Sequence, residues 1–157
     1  MKKIAVWQSF LLAINQLKMK NIITSFVVIA ITIVTQSFYQ GSNTSIQNGK
    51  TVYETYCMSC HMENGEGVSG AFPTLVKTGN LTDKNRMVNI ITKGMRGAIV
   101  VKGTKYNAEM AGVELTDKEV ADVINYIRNS WGNKTAMIQA GEIAAAKKAV
   151  VKGYQAY

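Results

Sequence analysis

The sequence predicts an all-α fold: one small domain of helices with a single short hairpin. Three observations predict it. Apolar residues recur at helical intervals in stretches that open near Ile46, Thr82 and Thr116. Glycines cluster between those stretches and break them into separate elements. Finally, the run Cys57-Met58-Ser59-Cys60-His61, at the end of the first stretch, takes up both cysteines and the only histidine of the 157-residue chain.

C-x-x-C-H is the spacing at which a haem is attached to protein. Two thiols three positions apart both reach the vinyl-derived carbons of one porphyrin and form thioethers. The next residue then falls under the iron, where its imidazole serves as the proximal ligand. A structural zinc site normally takes four Cys or His ligands, and the chain offers three. A thioredoxin-like C-x-x-C expects a preceding strand, whereas Thr51–Tyr56 reads as helix. A plain disulfide is open to an exported protein but leaves His61 without a role. Covalent haem attachment uses all three residues.

The length allows one domain plus a targeting segment, with no internal repeat. Residues 1–37 read as that segment: Lys2, Lys3, Lys18 and Lys20 precede a run from Ile22 to Val34, apolar apart from Thr24, Ser25 and Thr32. The run is short for a membrane span of about 20 apolar residues. Met19 looks like a natural start, with cleavage expected near Thr35-Gln36-Ser37. If the segment stays uncleaved, Phe38 and Tyr39 extend it and hold the domain at a membrane. Of the 18 Lys and Arg residues, four precede the apolar run, leaving 14 against 10 acids, so the formal +8 falls to +4 for the remainder. With no basic stripe carrying interleaved aromatics, nucleic acid is not an expected partner. A modest positive rim suits acidic protein partners.

Residues 38–45 are expected as a polar spacer. From Ile46 to Tyr56, Val52, Tyr53 and Tyr56 share one side of a helix that Thr44 or Ser45 could cap. Gly65, Gly67 and Gly70 then mark a loop. Pro73 stiffens it, and a nearby backbone carbonyl could orient His61 through the ring nitrogen not bound to metal. The second helix runs from Thr82 to Lys93, with Met87, Ile90 and Ile91 on one face, and Gly94 stops it. Ile99–Val101 and Thr104–Tyr106 flank Lys102-Gly103 as a hairpin, although lysine suits such a turn poorly. Thr116 and Glu119 form a capping box for the third helix, whose face Val120, Val123, Ile124, Ile127 and Trp131 runs to Gly132. Gln139–Val151 is a weaker helical segment, and the chain beyond it is expected to fray.

A second axial ligand cannot be histidine. Met, Lys, Tyr, water or nothing remain, and among the methionines Met95 and Met110 lie in loops. Met110 is preferred, because a hairpin and a capped helix flank it, while Met95 directly follows a helix stop. Thioether opposite imidazole favours reduced iron, raises the potential and closes the iron to substrates.

Cys57 to His61, Gly65-Glu66-Gly67, Phe72–Leu75, Gly97–Asn107, Met110 and Tyr126–Asn133 together resemble the class I c-type cytochromes, in the family's order and spacing. The likeness is greatest to small bacterial domains that accompany periplasmic dehydrogenases and copper nitrite reductases. It covers Ile46 to Val150. The resemblance implies a cytochrome c domain over 46–133, a partly helical extension over 134–157, and cytochrome c-like helices wrapped around one covalently bound haem c, with the hairpin before the axial Met loop. It also implies Met110 as the axial ligand, Pro73 as the residue orienting His61, and a helix crossing of Gly49 and Tyr53 with Val123 and Tyr126. Ala111, where the family usually has proline, and Lys102, where asparagine is common, depart from its pattern. Phe72, Leu75, Ile90 and Val100 are expected to pack on the porphyrin, so the haem-free chain should be poorly folded.

The expected function is a one-electron carrier rather than an enzyme, exported to the periplasm or the outer membrane face. It would exchange electrons with a dehydrogenase, oxidase or reductase. The alternatives are an open-coordination haem sensor or haem enzyme in which Met110 dissociates, and a haem-free thiol–disulfide protein.

Overall fold

The computed structural model describes Ile31 and residues 41–157. The expectations for the start, cleavage and anchoring of segment 1–37 lie outside the described residues. Among the described residues no helix is long and apolar enough to cross a membrane. Ser42–Tyr157 forms one compact unit.

Residues 41–56 are helical (α1), so the part of the expected spacer from 41 to 45 is helix instead. The reason is tertiary. Ser45, expected as a cap, donates from Oγ to Asp122 Oδ1 at 2.6 Å and accepts from Asn125 Nδ2 at 3.0 Å. One helical turn of polar sequence is thereby tied to the core. A short helix α2 (Met58–His61) follows, then a loop, a 3₁₀ turn at Gly79–Leu81, α3 (Lys84–Lys93), strands β1 (Ile99–Val101) and β2 (Thr104–Tyr106), α4 (Asp117–Asn129) and α5 (Ala140–Lys148).

The α4 start is built as the sequence predicts: Thr116 Oγ1 accepts from Glu119 N–H at 3.3 Å, and Glu119 Oε2 accepts from Thr116 N–H at 2.8 Å. Val120, Val123, Ile124 and Ile127 are all buried. The helix ends earlier than expected, because Ser130 is extended and Trp131 and Gly132 both take positive φ, 53° and 79°. α3 is capped by Asp83, whose carboxylate accepts from Arg86 N–H at 3.0 Å, and Gly94 ends it at φ 70°. Met87 and Ile91 face the core; Ile90 is half-buried.

α1 crosses α4 at Gly49 and Tyr53. A Cβ on Gly49 would lie 1.9 Å from the Asp122 carbonyl oxygen and 2.9 Å from Tyr126 Cβ, so only glycine allows this approach. The Tyr53 and Tyr126 rings pack at 5.4 Å.

The hairpin has the expected register, Ile99 opposite Tyr106 and Val101 opposite Thr104. Lys102 and Gly103 both take positive φ, 49° and 82°. That is the geometry of a two-residue hairpin turn matching strand twist. The strands hold the lysine there despite its Cβ.

The 134–157 extension belongs to the same core. Ile138, Ile143 and Ala146 are buried with the α3 and α4 side chains. Asn125 donates to the Ile138 carbonyl at 2.9 Å and accepts from Ile138 N–H at 2.8 Å. Asn89 donates to the Ala146 carbonyl at 2.9 Å. Nor is the chain beyond Val151 frayed: Tyr154 Oη donates toward the Gly94 carbonyl at 2.7 Å and the Asn89 carbonyl at 3.0 Å.

Candidate functional site

The C-x-x-C-H motif follows α1 directly, with Cys57 as the turn between α1 and α2. Cys57 N–H donates to Tyr53 O at 2.8 Å, His61 N–H to Cys57 O at 2.9 Å and Met62 N–H to Met58 O at 2.9 Å. Met62 then turns the chain at φ 62°. Its carbonyl accepts from the hydroxyl of Tyr53 at 2.7 Å. Burial, followed by the neighbouring Cys57, pushes the Tyr53 hydroxyl well above the ordinary tyrosine range, so it remains protonated as the donor. The ring is fully buried, packed against Tyr126 and, at 5.1 Å, Trp131. The helix crossing and the end of the motif therefore share one anchor.

His61 Nδ1 lies 2.9 Å from the Pro73 carbonyl oxygen. A carbonyl only accepts, so Nδ1 carries the proton and Nε2 keeps its lone pair. Burial pushes the imidazole below its ordinary 6.5, with the Pro73 hydrogen bond pulling the other way. The side chain is thus a neutral imidazole held in one orientation. The loop is fastened to deliver that carbonyl. Gly67 N–H donates to His61 O at 3.0 Å, Val68 and Phe72 exchange backbone bonds at 2.8 Å, and Leu75 N–H donates to Gly65 O at 2.7 Å. A Cβ at Gly67 would lie 2.4 Å from Phe72 O, so glycine is required at that approach.

Cys57 and Cys60 are both half-buried and are not bonded to each other. Burial, with Cys60 nearby, pushes the Cys57 thiol up to about 11. A thiol so disinclined to ionise is a poor redox nucleophile, which weighs against the thiol–disulfide alternative. Among the described residues no group of three or more His, Cys, Asp or Glu is placed to hold a metal ion.

Met95 and Met110 are brought together. Met95 N–H donates to Met110 O at 2.7 Å and Met110 N–H to Met95 O at 2.8 Å. Met95 is buried, and its sulfur lies 4.0 Å from Arg86 Nη2; Met110 is half-buried. Phe72, Leu75 and Ile90 are half-buried, and Val100 is 60% exposed. The donor types suit a haem: two cysteine sulfurs that are not bonded to each other, an imidazole with its second nitrogen fixed, and incompletely covered apolar side chains.

The sequence model of the family described as cytochrome c matches residues 46–131. The chain belongs to the cytochrome c family. Cytochrome c-552 of Thermus thermophilus is 35% identical over 94 residues, which are 55% of this chain and 70% of that protein. The gluconate 2-dehydrogenase cytochrome c subunit of Pantoea cypripedii is 30% identical over 120 residues, 73% of this chain but 27% of the subunit. The cytochrome c subunit of the quinone alcohol dehydrogenase of Gluconacetobacter polyoxogenes is 33% identical over 105 residues, 64% of this chain and 22% of the subunit. The chain thus spans about a quarter of the dehydrogenase subunits it matches. As a class I c-type cytochrome the chain carries covalently attached haem c and works by haem-based electron transfer rather than as an enzyme.

Two supporting residues of this cytochrome receive no individual role from the sequence. Asn133 accepts from Lys77 N–H at 2.6 Å and donates to the carbonyls of Leu75 and Ile127 at 3.0 and 2.7 Å, tying the Pro73 loop to the end of α4. Thr74 Oγ1 donates to Gly65 O at 3.1 Å. Both lie within stretches that carry the family resemblance, Phe72–Leu75 and Tyr126–Asn133, which is the signal that points to them.

Proposed function

We propose that this domain is a one-electron carrier in which Cys57 and Cys60 form the thioethers and His61, through Nε2, and Met110, through sulfur, hold the iron. The Nδ1 bond from His61 to Pro73 carries the reading, because it fixes the tautomer and aim that a proximal ligand needs. Haem c supplies an iron that passes between ferrous and ferric states by one electron. The chain keeps that exchange free of chemistry at the metal. His61 stays neutral and fixed, Met110 would supply the second protein ligand, and the Tyr53–Tyr126–Trp131 ring group, with Tyr53 fully buried, steadies the motif helix. Met110 is favoured over Met95 because Met95 is buried beside Arg86.

The partners we propose are redox proteins: a dehydrogenase as donor, in keeping with the names of the relatives, and an oxidase or reductase as acceptor. The location we propose is outside the cytoplasm, on the strength of the targeting pattern in residues 1–37.

The test is the visible spectrum of the exported protein, ferric then ferrous, with acid extraction of haem and a Met110→Ala variant. Haem that resists extraction, with a sulfur-to-ferric-iron band that vanishes in the variant, is the expected result. Extractable haem refutes the attachment, and covalent haem without the band replaces the carrier with an open-iron sensor or enzyme.

A further inference from the structure

We infer that segment 152–157 is a strap that holds the Met110 loop closed, with Tyr154 as its positioning residue. The inference rests on the reading of Met110 as the axial ligand.

The seat of Met110 is the chain just after α3. Met95 exchanges both backbone hydrogen bonds with it. Gly94 lies so close behind that a Cβ there would sit 2.3 Å from Met110 O and 2.7 Å from Gly112 N. Whatever holds Gly94–Arg96 in place therefore holds Met110.

The strap grips that seat at four points. Tyr154 Oη is 2.7 Å from Gly94 O and 3.0 Å from Asn89 O, so its single proton is shared between a carbonyl within α3 and the one that follows its last residue. Arg96 N–H donates to Gln155 O at 3.1 Å, and Tyr157 N–H donates to Lys93 O at 3.3 Å, one of the carbonyls a helix end leaves without an internal partner. Arg86 reaches the Lys152 and Gly153 carbonyls from Nη1 at 3.4 Å, while its Nη2 meets the Met95 sulfur. One guanidinium thus joins the strap to the residue paired with Met110.

These bonds lie near the surface on a segment with no regular structure, the part of a fold that opens at least expense of stability. Opening would release the Met95–Met110 pair while α4 and the attachment motif stay folded. The fraction of time the methionine is off the iron, and hence the access of a small ligand to it, would rise in proportion.

The test uses full-length, haem-loaded protein: wild type, Tyr154→Phe, a variant lacking residues 152–157, Met110→Ala, and Lys147→Ala, which cuts an ion pair to Asp117 and removes none of the strap's hydrogen bonds. The readouts are carbon monoxide association to the ferrous protein and the temperature at which the sulfur-to-ferric-iron band disappears. Loss of one hydrogen bond predicts association about fivefold to tenfold faster in Tyr154→Phe. Removal of the segment should accelerate it further, both variants should lose the band at lower temperature, and Lys147→Ala should match wild type. Unchanged rates in Tyr154→Phe overturn the strap, even if the shortened chain fails to assemble. Equal acceleration in Lys147→Ala also overturns it, by showing a general loss of stability. A wild type without the band refutes Met110 ligation and the strap with it. A band lost in Met110→Ala, with unchanged rates in the strap variants, refutes the strap alone.

Discussion

Gly49 and Asp122 meet backbone to backbone: the α1 glycine presses on the carbonyl of the α4 aspartate, at a distance that leaves no room for a methyl group. Alanine would favour the helix by about 1 kcal/mol, but overpacking a tight contact costs about 1–3 kcal/mol or more. Here the obstacle is backbone, which cannot rotate aside. Gly49→Ala should therefore be net destabilising, by about 1–3 kcal/mol, in denaturant unfolding of the haem-loaded protein. Equal or greater stability would show that the helices separate freely.

Tyr53→Phe keeps the buried ring but removes the donor to Met62 O. The loss should be about 1–2 kcal/mol, the cost of leaving a partly buried carbonyl without its partner. The visible spectrum should be retained, since none of the proposed ligands is altered. A variant as stable as wild type would mean that water replaces the hydroxyl.

Lys102 holds φ 49° in the hairpin turn. Lys102→Asn or Lys102→Gly should relieve that conformation and raise stability by about 0.5–1 kcal/mol. A thermal midpoint below wild type for both would argue against the turn geometry.

The capping boxes of α4 and α5 depend on pH. Hydrogen bonds from Thr116 hold Glu119 below the usual 4.5, and Lys84 together with the Gln139 N–H does the same for Glu142. A depressed carboxylate contributes stability that is present above its unfolded value and lost as pH falls through the folded one. Stability should thus be level around neutrality and fall below about pH 4.5. Glu119→Gln should lower stability at pH 7 and shrink the fall on acidification. An unchanged acid limb in Glu119→Gln would assign the effect to other groups.

Ile143 is fully buried in the extension. Ile143→Ala should cost about 2–4 kcal/mol if α5 is part of the cooperative core. A loss below about 0.5 kcal/mol, the range of ordinary surface changes, would make the extension an appendage.

The elements readable from sequence are those with local causes. Thr116 and Glu119 announce their helix, Gly94 announces a stop, and Cys57, Cys60 and His61 announce their chemistry by spacing. The elements that sequence misplaces depend on distant partners. Residues 41–45 look like a spacer because Ser45 finds Asp122 and Asn125 only 77 and 80 positions away. Segment 152–157 looks frayed because its partners are Arg86, some 66 positions away, and main-chain groups of and just after α3, which no side-chain pattern advertises. Trp131 fits the apolar period of α4, yet it leaves the helix to pack its ring over Gly65, where a Cβ would lie 2.5 Å from it. At the site, the His61–Pro73 pairing is legible; the Met95–Met110 pairing is not, since spacing presents the two as rivals for one position rather than as neighbours.

The two buried asparagines set an unusual rule for change in the extension. Asn125 binds Ile138, and Asn89 binds Ala146, through main-chain atoms alone. Such bonds read the path of the chain and are blind to its side chains. Provided that apolar groups remain at 138, 143 and 146, most other positions from 134 to 148 can drift, while a residue inserted between 138 and 146 would put the two clasps out of register. The extension is specified by its count of residues more than by their kind, so related chains should preserve its length long after its letters have diverged.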